Sequence, residues 1–404
     1  MVSLQYNPFV PEVHANPYLM YRQLREQDPV HWSELLEAWV LTRYDDVVAV
    51  LKHPRFSADR RSARNRFVQA AMQSQAEMGP LAQANTMLSS DPPEHTRMRN
   101  LVSKAFTFKA VEKLRPRIQQ IVDELLDAIE DKGSMDAIWD LGYPLPVIVI
   151  AEMLGVPAGQ RDTFKRWSDD IVATLGGPMV APEVQERGRR SSIEMAGYFR
   201  GVIAERRRAP KDDLLSALVA AEERGDFLSE QELLATCVLL LAAGNETTTN
   251  LIGNGTLALL RNPGQLELLR RRPELLESAV EEFLRYDGPV QGTARVAMVD
   301  VEIGGQVMRQ GQLAFCMLAA ADRDPAQFEQ PETLDIARKE NRHIAFGFGI
   351  HFCLGAPLAR AEAQIAFSTL LRRFPKLEPA GGEPQWGGTF ILRGLKSLPV
   401  RLGR

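Results

Sequence analysis

The chain has 404 residues, 45% of them hydrophobic and 25% charged, with a formal net charge of −4. This composition is typical of a globular protein and excludes collagen-like and disordered chains. A nucleic-acid-binding chain would normally be basic, so the charge argues against that function. The only cysteines are Cys237, Cys316 and Cys353, which are too few for a disulfide scaffold and indicate a reducing compartment.

Neither targeting nor membrane segments are evident in the sequence. The first residues lack the basic region and apolar core of a signal peptide. The longest strongly apolar run, 233–245, is shorter than the roughly 18 residues that a membrane-spanning helix needs. We therefore expect a soluble, cytoplasmic protein without a membrane anchor. Since no Gly-, Ser- or Pro-rich linker divides the chain, we predict a single domain over residues 1–404.

Helical periodicity dominates the first part of the chain. Helices are predicted at 17–25 and 44–51, on either side of a short strand at 38–42. Residues 55–90 are polar and irregular, with some helix. Further helices are predicted at about 93–105, 110–132, 142–154, 159–174 and 182–208.

The longest helical pattern begins at Ser229, where Ser-Glu-Gln-Glu forms a capping box, and ends at Asn262-Pro263. It spans about 50 Å at 1.5 Å per residue, enough to cross a whole domain. Short strands follow at 294–299, 301–303 and 311–318, and residues 387–402 are interpreted as a hairpin around Gly394. The predicted fold class is mainly α with small β-sheets.

The strongest local signal is the segment 346–355, Phe-Gly-Phe-Gly-Ile-His-Phe-Cys-Leu-Gly. Ala356-Pro357 follows it and is typical of a first helical turn. Cys353 therefore lies just before a helix N-terminus, where amide groups and the helix dipole favour a thiolate. Its glycines allow tight backbone conformations and the close approach of a flat ligand.

A thiolate on such a loop suits a soft metal or haem iron. A zinc or iron–sulfur site would need more cysteines at closer spacing. From the residues alone, an inert buried cysteine and a Cys–His nucleophile with His351 stay open.

The segment resembles the haem-binding loop of the cytochrome P-450 family, Phe-x-x-Gly-x-His/Arg-x-Cys-x-Gly, at every fixed position. The resemblance implies haem b (iron protoporphyrin IX) with the thiolate of Cys353 as its axial metal ligand. It places Phe346, Gly347 and Gly355 beside the haem and His351 at a haem propionate. The family's motifs occur in order over about residues 10–400, which implies the family's mainly helical fold, with the long helix passing over the haem.

The middle of the longest helix carries Ala243-Gly244-Asn245-Glu246-Thr247. On the residues alone, a polar turn or a threonine hydroxyl bonded to a carbonyl four residues earlier is the simpler interpretation. The segment also matches the family's Ala/Gly-Gly-x-Asp/Glu-Thr. That resemblance implies that Glu246 and Thr247 are catalytic and deliver protons to dioxygen, and that Ala243 and Gly244 leave space for it.

Glu282 and Arg285 match the family's Glu-x-x-Arg, which implies a structural role beneath the cysteine loop, although a surface ion pair has the same spacing. Thr333 stands where the family's third partner, an arginine, is usual. Arg338 or Arg342 is the expected replacement.

Further basic residues are predicted to hold the haem propionates. His95 and Arg99, at i and i+4 of one helix, resemble the family's His-x-x-x-Arg. Arg295 resembles the family's strand arginine. With His351, they give four basic groups for two carboxylates.

The resemblance also implies which residues line a substrate pocket, from their positions relative to the family's motifs. They are mostly apolar, which favours a lipophilic organic substrate, although any of them is equally compatible with plain core. A run of four arginines at 60, 61, 64 and 66 is compatible with a substrate carboxylate or with a solvated charge run. The predicted walls are Leu88, Leu239, Leu240, Ala243, Val290, Gln291, Gly292, Phe390 and Ile391.

The implied function is a monooxygenase that inserts one oxygen atom from dioxygen into its substrate by hydroxylation or epoxidation. No flavin or NAD(P)H segment is recognised, so electrons are expected from a separate ferredoxin or flavodoxin with its reductase. A peroxide-using peroxygenase and a non-catalytic haem sensor or carrier are the alternatives. Candidate basic residues for an acidic electron donor are Arg97, Lys104, Lys109, Lys113 and Arg360.

Overall fold

Helices make up 57% of the structure, a computed structural model that describes residues 4–77, 84–174, 181–211, 213–222 and 228–403. The predicted class, mainly helical with small sheets, is confirmed. In chain order the helices are α1 Pro11–Ala15, α2 Tyr18–Gln27, α3 Tyr44–Lys52, α4 Arg66–Glu77, α5 Glu94–Ser103, α6 Phe108–Asp127, α7 Pro144–Met153, α8 Arg161–Val172, α9 Pro182–Arg208, α10 Leu214–Glu222, α11 Glu230–Arg261, α12 Pro263–Arg271, α13 Leu276–Asp287, α14 Leu318–Ala321 and α15 Ala356–Arg373.

Helix α11 is the long central helix that the sequence predicts. Its capping box is formed: the Ser229 hydroxyl accepts a hydrogen bond from the Glu232 amide at 3.2 Å, and the Glu232 carboxylate accepts one from the Ser229 amide at 2.8 Å. Helices α7, α8, α9, α13 and α15 all pack against it. A helix surrounded in this way has its middle turns in the interior, which is where the Glu246-Thr247 pair lies.

In the described part of the chain, four small sheets lie around this bundle. The largest has strand order β1-β2-β8-β5-β3, in which β2 and β8 run parallel and the other pairs antiparallel. The others are β4-β12-β9, β6-β7 and β10-β11. The strands are β1 Val30–Ser33, β2 Ala38–Leu41, β3 Phe56–Ser57, β4 Ser134–Asp136, β5 Thr293–Ala297, β6 Val301–Ile303, β7 Gln306–Met308, β8 Leu313–Cys316, β9 Lys376–Pro379, β10 Trp386–Gly388, β11 Arg393–Leu395 and β12 Pro399–Gly403.

A C-terminal hairpin forms from β10 and β11, but the predicted turn at Gly394 is wrong. Gly394 lies inside β11, opposite Gly387 of β10, and the chain turns earlier, at 389–392. A Cβ on Gly394 would lie 1.8 Å from the side-chain oxygen of Asn250, so this glycine serves close contact with α11 rather than a turn. Strand β12 belongs to another sheet, between β4 and β9.

The main hydrophobic core lies between α6, α7, α8, α9, α11 and α15, and a second cluster fills the space beside the five-stranded sheet. The helices within the described ranges include none that is both long and apolar enough to cross a membrane. The single-domain assignment of residues 1–404 stays a prediction.

Candidate active site

The cysteine loop is a tight turn held by its own backbone. The amide of Cys353 donates a hydrogen bond to the carbonyl of Phe346 at 2.8 Å. Gly347 and Gly349 have φ values of +75° and +73°, a region that favours glycine. A Cβ on Gly349 would also lie 3.0 Å from the carbonyl oxygen of Leu51. These constraints explain why glycines recur in the loop and fix where the cysteine sulfur lies.

The surroundings of Cys353 do not all favour the thiolate that the sequence predicts. Burial raises the pKa of this thiol, and the amides of Gly355 and Ala356 and the charges of Arg99 and Arg360 only oppose that rise. Burial of the sulfur therefore works against the thiolate that the helix N-terminus favours. A cation bound at the sulfur would supply the missing stabilisation, since metal coordination deprotonates a thiol outright.

The basic residues predicted to serve propionates lie together beside this loop. The rings of His95 and His351 are 4.3 Å apart, and Arg99 donates to the carbonyl of Phe352 at 2.7 Å. Arg295, only 6% exposed, affects the pKa of both histidines. Burial, reinforced by Arg295 and His95, lowers the pKa of His351 to about 4. The structure thus brings all four predicted groups into one cluster.

This cluster has unused hydrogen-bonding capacity. Both ring nitrogens of His95 and Nε2 of His351 are buried and have no hydrogen-bond partner among the described residues. Asp91, the nearby carboxylate, accepts bonds from the Ser57 hydroxyl and the Ala58 amide. Buried polar atoms are normally satisfied, so such a set points to a bound group with acceptor oxygens. Haem propionates fit that requirement.

One face of the central helix is accessible midway along its length. Ala243 is exposed although it lies midway along α11, which is packed by other helices on several sides. Leu239, Ala243 and Thr247 follow the i, i+4, i+8 spacing of a single helix face and are all partly or fully accessible. Their accessible surface therefore borders an internal space, here called the central cavity.

Glu246 and Thr247 lie at this face. The Thr247 hydroxyl donates to the carbonyl of Ala243 at 2.8 Å, the local bond that the residues alone suggest. Burial, together with the charge of Asp169, raises the pKa of Glu246 to about 7, and the nearby side chain of Asn250 opposes the rise. A carboxyl with a pKa near neutrality can both release and accept a proton at physiological pH.

Glu246 lies next to a group of polar side chains that sequence reasoning missed, and the charge of Asp169 in this group affects its pKa. The Tyr143 hydroxyl donates to Asp169 at 2.5 Å, and the side-chain amide of Asn245 donates to the hydroxyl of Ser168 at 3.0 Å. These contacts join α8 and the turn before α7 to α11, next to Glu246. The residues are distant in sequence, so no local pattern could have indicated them.

Comparison with known proteins decides the family. The family model described as "Cytochrome P450" matches residues 36–386 of this chain. The chain belongs to the cytochrome P450 family. Haem bound through a cysteine thiolate is the cofactor of this family, and the relatives of this P450 include named monooxygenases.

Three relatives show how far this similarity extends. The polyketide biosynthesis cytochrome P450 PksS of Bacillus subtilis is 43% identical over 100% of both chains, and its solved structure has a TM-score of 0.90. The cytochrome P450 monooxygenase PikC of Streptomyces venezuelae is 43% identical over 96% of this chain and 92% of its own. The structure of P450BioI with a hexadec-9Z-enoic acid ligated acyl carrier protein has a TM-score of 0.89 at 38% identity, covering 97% and 99% of the chains.

The Glu282–Arg285 pair of this P450 is a buried network. Both side chains are fully buried, and Arg285 donates to Glu282 through Nε at 2.8 Å and Nη2 at 2.7 Å. Arg338 is the third partner, with Nε 3.0 Å from the Glu282 carboxylate. Arg342 instead lies 3.8 Å from exposed Glu340. The structure thus decides between the two arginines that the sequence left open.

The residues predicted to line the substrate pocket lie in different environments in the structure. Leu239 and Ala243 border the central cavity, whereas Leu240, 9% exposed, packs in the main core. Leu88 is 61% exposed and follows residues 78–83, which lie outside the described ranges. Phe390 packs edge-on against Phe315.

The remaining wall residues join β5 to the C-terminal segment. Val290 forms a bridge with Leu392, and the amide of Gln291 donates to the carbonyl of Ile391 at 2.9 Å. The Gln291 side chain is buried and donates to the carbonyl of Gly288, so it is not free to contact a substrate. Gly292 lies against β8, because a Cβ there would be 3.1 Å from the carbonyl oxygen of Cys316.

Two of the five basic residues expected to face an electron donor are in ion pairs. Arg97 lies 2.5 Å from Glu232, and Arg360 lies 2.7 Å from Glu281. Lys109 and Lys113 line a cleft between α6, α7 and α10, and Lys104 lines another beside α5. The role of these residues stays a prediction.

Proposed function

We propose that this P450 inserts one oxygen atom from dioxygen into a lipophilic organic substrate, with electrons from a separate ferredoxin or flavodoxin and its reductase. The observation that carries the proposal is the cluster of unpartnered buried histidine nitrogens beside the cysteine loop, together with an internal cavity along the acid–alcohol face of α11. Thiolate-ligated haem supplies the activation of dioxygen. Residues of this chain bind the haem, orient the substrate and deliver protons.

Cys353 is assigned as the iron ligand. Its neighbours Gly347 and Gly355 present little bulk to a flat ring, and Phe346 is assigned to contact that ring. The loop backbone fixes the sulfur through the Cys353–Phe346 hydrogen bond. His95, Arg99, Arg295 and His351 are assigned to the two propionates. Ala243 and Gly244 keep the facing turn of α11 free of bulky side chains.

Protons reach the reaction through Glu246 and Thr247. The carboxyl of Glu246, with a pKa of about 7, holds a proton that it can release at little energetic cost and then regain from the side of Asp169. Thr247 keeps a hydroxyl at the cavity wall by donating to Ala243, and its oxygen is left to accept a second bond. The pair thereby positions a proton at the cavity wall.

The substrate class is inferred from the walls and the relatives. Leu239 and Ala243 present an apolar surface to the cavity. PksS is named for polyketide biosynthesis, and P450BioI has been captured with an acyl carrier protein bearing a fatty acyl chain. We infer a substrate with an extended apolar acyl or polyketide chain.

The test is reconstitution of the haem protein with a surrogate ferredoxin and reductase. The proposal predicts substrate-dependent dioxygen uptake and a product heavier by one oxygen atom, labelled from heavy dioxygen. Product formed only from added peroxide would indicate a peroxygenase. A haem protein with neither reaction, across a panel of lipophilic acyl substrates, would favour a sensor or carrier.

A further inference from the structure

Two consecutive glutamates of α13 contact different parts of the protein. Successive residues of a helix are rotated by about 100°, so Glu281 and Glu282 face different neighbours. Glu282 belongs to the buried network described above. Glu281 instead binds Arg360 of α15 and His343, which lies in the segment that leads into the cysteine loop. The proposed function assigns no role to this second set of contacts.

Glu281 fixes the guanidinium of Arg360. Arg360 donates to the Glu281 carboxylate through Nε and through Nη2, each at 2.7 Å. A two-pronged contact of this kind orients the planar guanidinium as well as attracting it. Burial alone would raise the pKa of Glu281, but hydrogen bonds from Arg360 and His343 hold that pKa at about 2. The carboxylate is therefore charged near neutral pH, where it keeps Arg360 in place.

Arg360 lies over the ring of Phe346, the first residue of the cysteine loop. Its guanidinium carbon is 4.6 Å from the ring centroid, within the range of a cation–π contact. The ring of Phe352 lies edge-on to the same ring, with centroids 6.1 Å apart. The carbonyl of Phe346 accepts the hydrogen bond from the Cys353 amide at 2.8 Å. The residue that Arg360 contacts is thus hydrogen-bonded directly to the cysteine.

His343 connects the same carboxylate to the residue before Phe346. Its Nδ1 accepts a hydrogen bond from the amide of Ala345 at 3.2 Å, so the proton of the ring is on Nε2. Nε2 therefore donates to the Glu281 carboxylate at 3.0 Å. The His343 side chain is only 3% exposed, and Ala345 is buried. Two chains of contacts from Glu281 therefore end on adjacent residues, Ala345 and Phe346, where the loop begins.

We propose that Arg360, held by Glu281, is a positioning residue of the cysteine loop. It fixes the ring of Phe346 and thereby the carbonyl that holds the amide of Cys353, so that the sulfur keeps its place as iron ligand. This role differs from the contact with an electron donor that its charge suggests, because the ion pair with Glu281 already neutralises that charge. The inference rests on the proposed function only through the assignment of Cys353 as the ligand.

The experiment follows the carbon monoxide complex of the dithionite-reduced protein in urea, below the unfolding transition. Conversion of the red-shifted Soret band to an unshifted band measures loss of the thiolate from iron. Arg360→Met and Glu281→Gln should each speed this conversion by about threefold or more. Arg373→Met is the matched control, because Arg373 lies at the other end of α15, has two acidic partners and is 5.9 Å from the ring centroid of Phe374. It should leave the rate unchanged, and an equal increase in all three variants would overturn the proposal.

A second pair of variants tests how Arg360 acts. In a Phe346→Leu background, Arg360→Met should add little to the rate, because the ring through which it acts is gone. An undiminished increase there would overturn the proposal. Arg360→Lys should give an intermediate rate, since an ammonium group cannot form the two-pronged contact with Glu281. A rate equal to that of the wild type would assign the effect to charge alone and would likewise overturn the positioning role.

These measurements separate the inference from the proposed function. None of them uses a substrate or an electron donor, so a failed oxygenation test would not change their outcomes. A wild type without the red-shifted band would overturn the assignment of Cys353 together with this inference. A wild type with that band, and an unchanged rate in Arg360→Met, would overturn the inference alone.

Discussion

Replacing Glu282 with glutamine tests the buried network beneath the cysteine loop. Its carboxylate accepts five hydrogen bonds at 2.7–3.2 Å, from Arg285, Arg338, the amide of Asp335 and the side chain of Asn341. The substitution keeps the shape but removes the negative charge, and Arg285, with no exposed surface, is left as an uncompensated buried cation. Breaking a buried pair in this way costs about 3–5 kcal/mol.

This loss is large against a typical free energy of unfolding of about 5–15 kcal/mol. Urea unfolding followed by circular dichroism, at equal haem loading, measures it. Glu267→Gln is the matched control, because Glu267 pairs with Arg270 and Arg271 on the surface of α12 and should cost less than about 1 kcal/mol. A Glu282→Gln variant as stable as that control would refute the assignment of this network as a structural element.

Three further variants test the site and its support. Thr247→Ala should lower the amount of product formed per reducing equivalent several-fold and should release peroxide. Thr256→Ala is the control and should do neither, although it removes the same kind of hydrogen bond to a carbonyl four residues earlier on α11. An equal yield of product per reducing equivalent in both variants would contradict the role of Thr247. Because the folded-state pKa of Glu246 is raised to about 7, its contribution to stability is fully present below about pH 4.5 and is lost as the pH rises through 7. Between about pH 5 and 8, the unfolding free energy of Glu246→Gln should therefore increase relative to that of the wild type. If the two free energies changed with pH in parallel, the raised pKa of Glu246 would be refuted. Arg338→Met should destabilise by about 2–4 kcal/mol and Arg342→Met by less than about 0.5 kcal/mol, measured by the same urea unfolding; equal effects would contradict the choice of Arg338 as third partner.

The elements that the sequence predicts best are those with local signals. The capping box at Ser229 correctly predicts the beginning of α11, and Gly347 and Gly349 indicate the positive φ values of the cysteine loop. Gly394 was interpreted as a turn, but a glycine is also required in a strand that a helix approaches closely. The contacting residue, Asn250 on α11, is distant in sequence, so no local pattern indicates this contact.

Long-range features could not be read from the chain. The choice of Arg338 over Arg342 depends on how the segment before the cysteine loop folds onto α13. The contact of Tyr143 with Asp169 likewise arises from packing between distant segments. The charge pattern does not distinguish the four arginines at 60, 61, 64 and 66, whereas the structure shows Arg61 and Arg66 in ion pairs with Asp59 and Glu37.

The central claim is that Cys353 binds haem iron as a thiolate. Its most direct test is the absorption spectrum of the purified protein, reduced with dithionite under carbon monoxide. We predict a strongly red-shifted Soret band that is lost in Cys353→Ser and retained in Cys237→Ser and Cys316→Ser, whose thiols are buried in the core. An unshifted band in the wild type, or a shifted band that survives Cys353→Ser, would contradict the assignment.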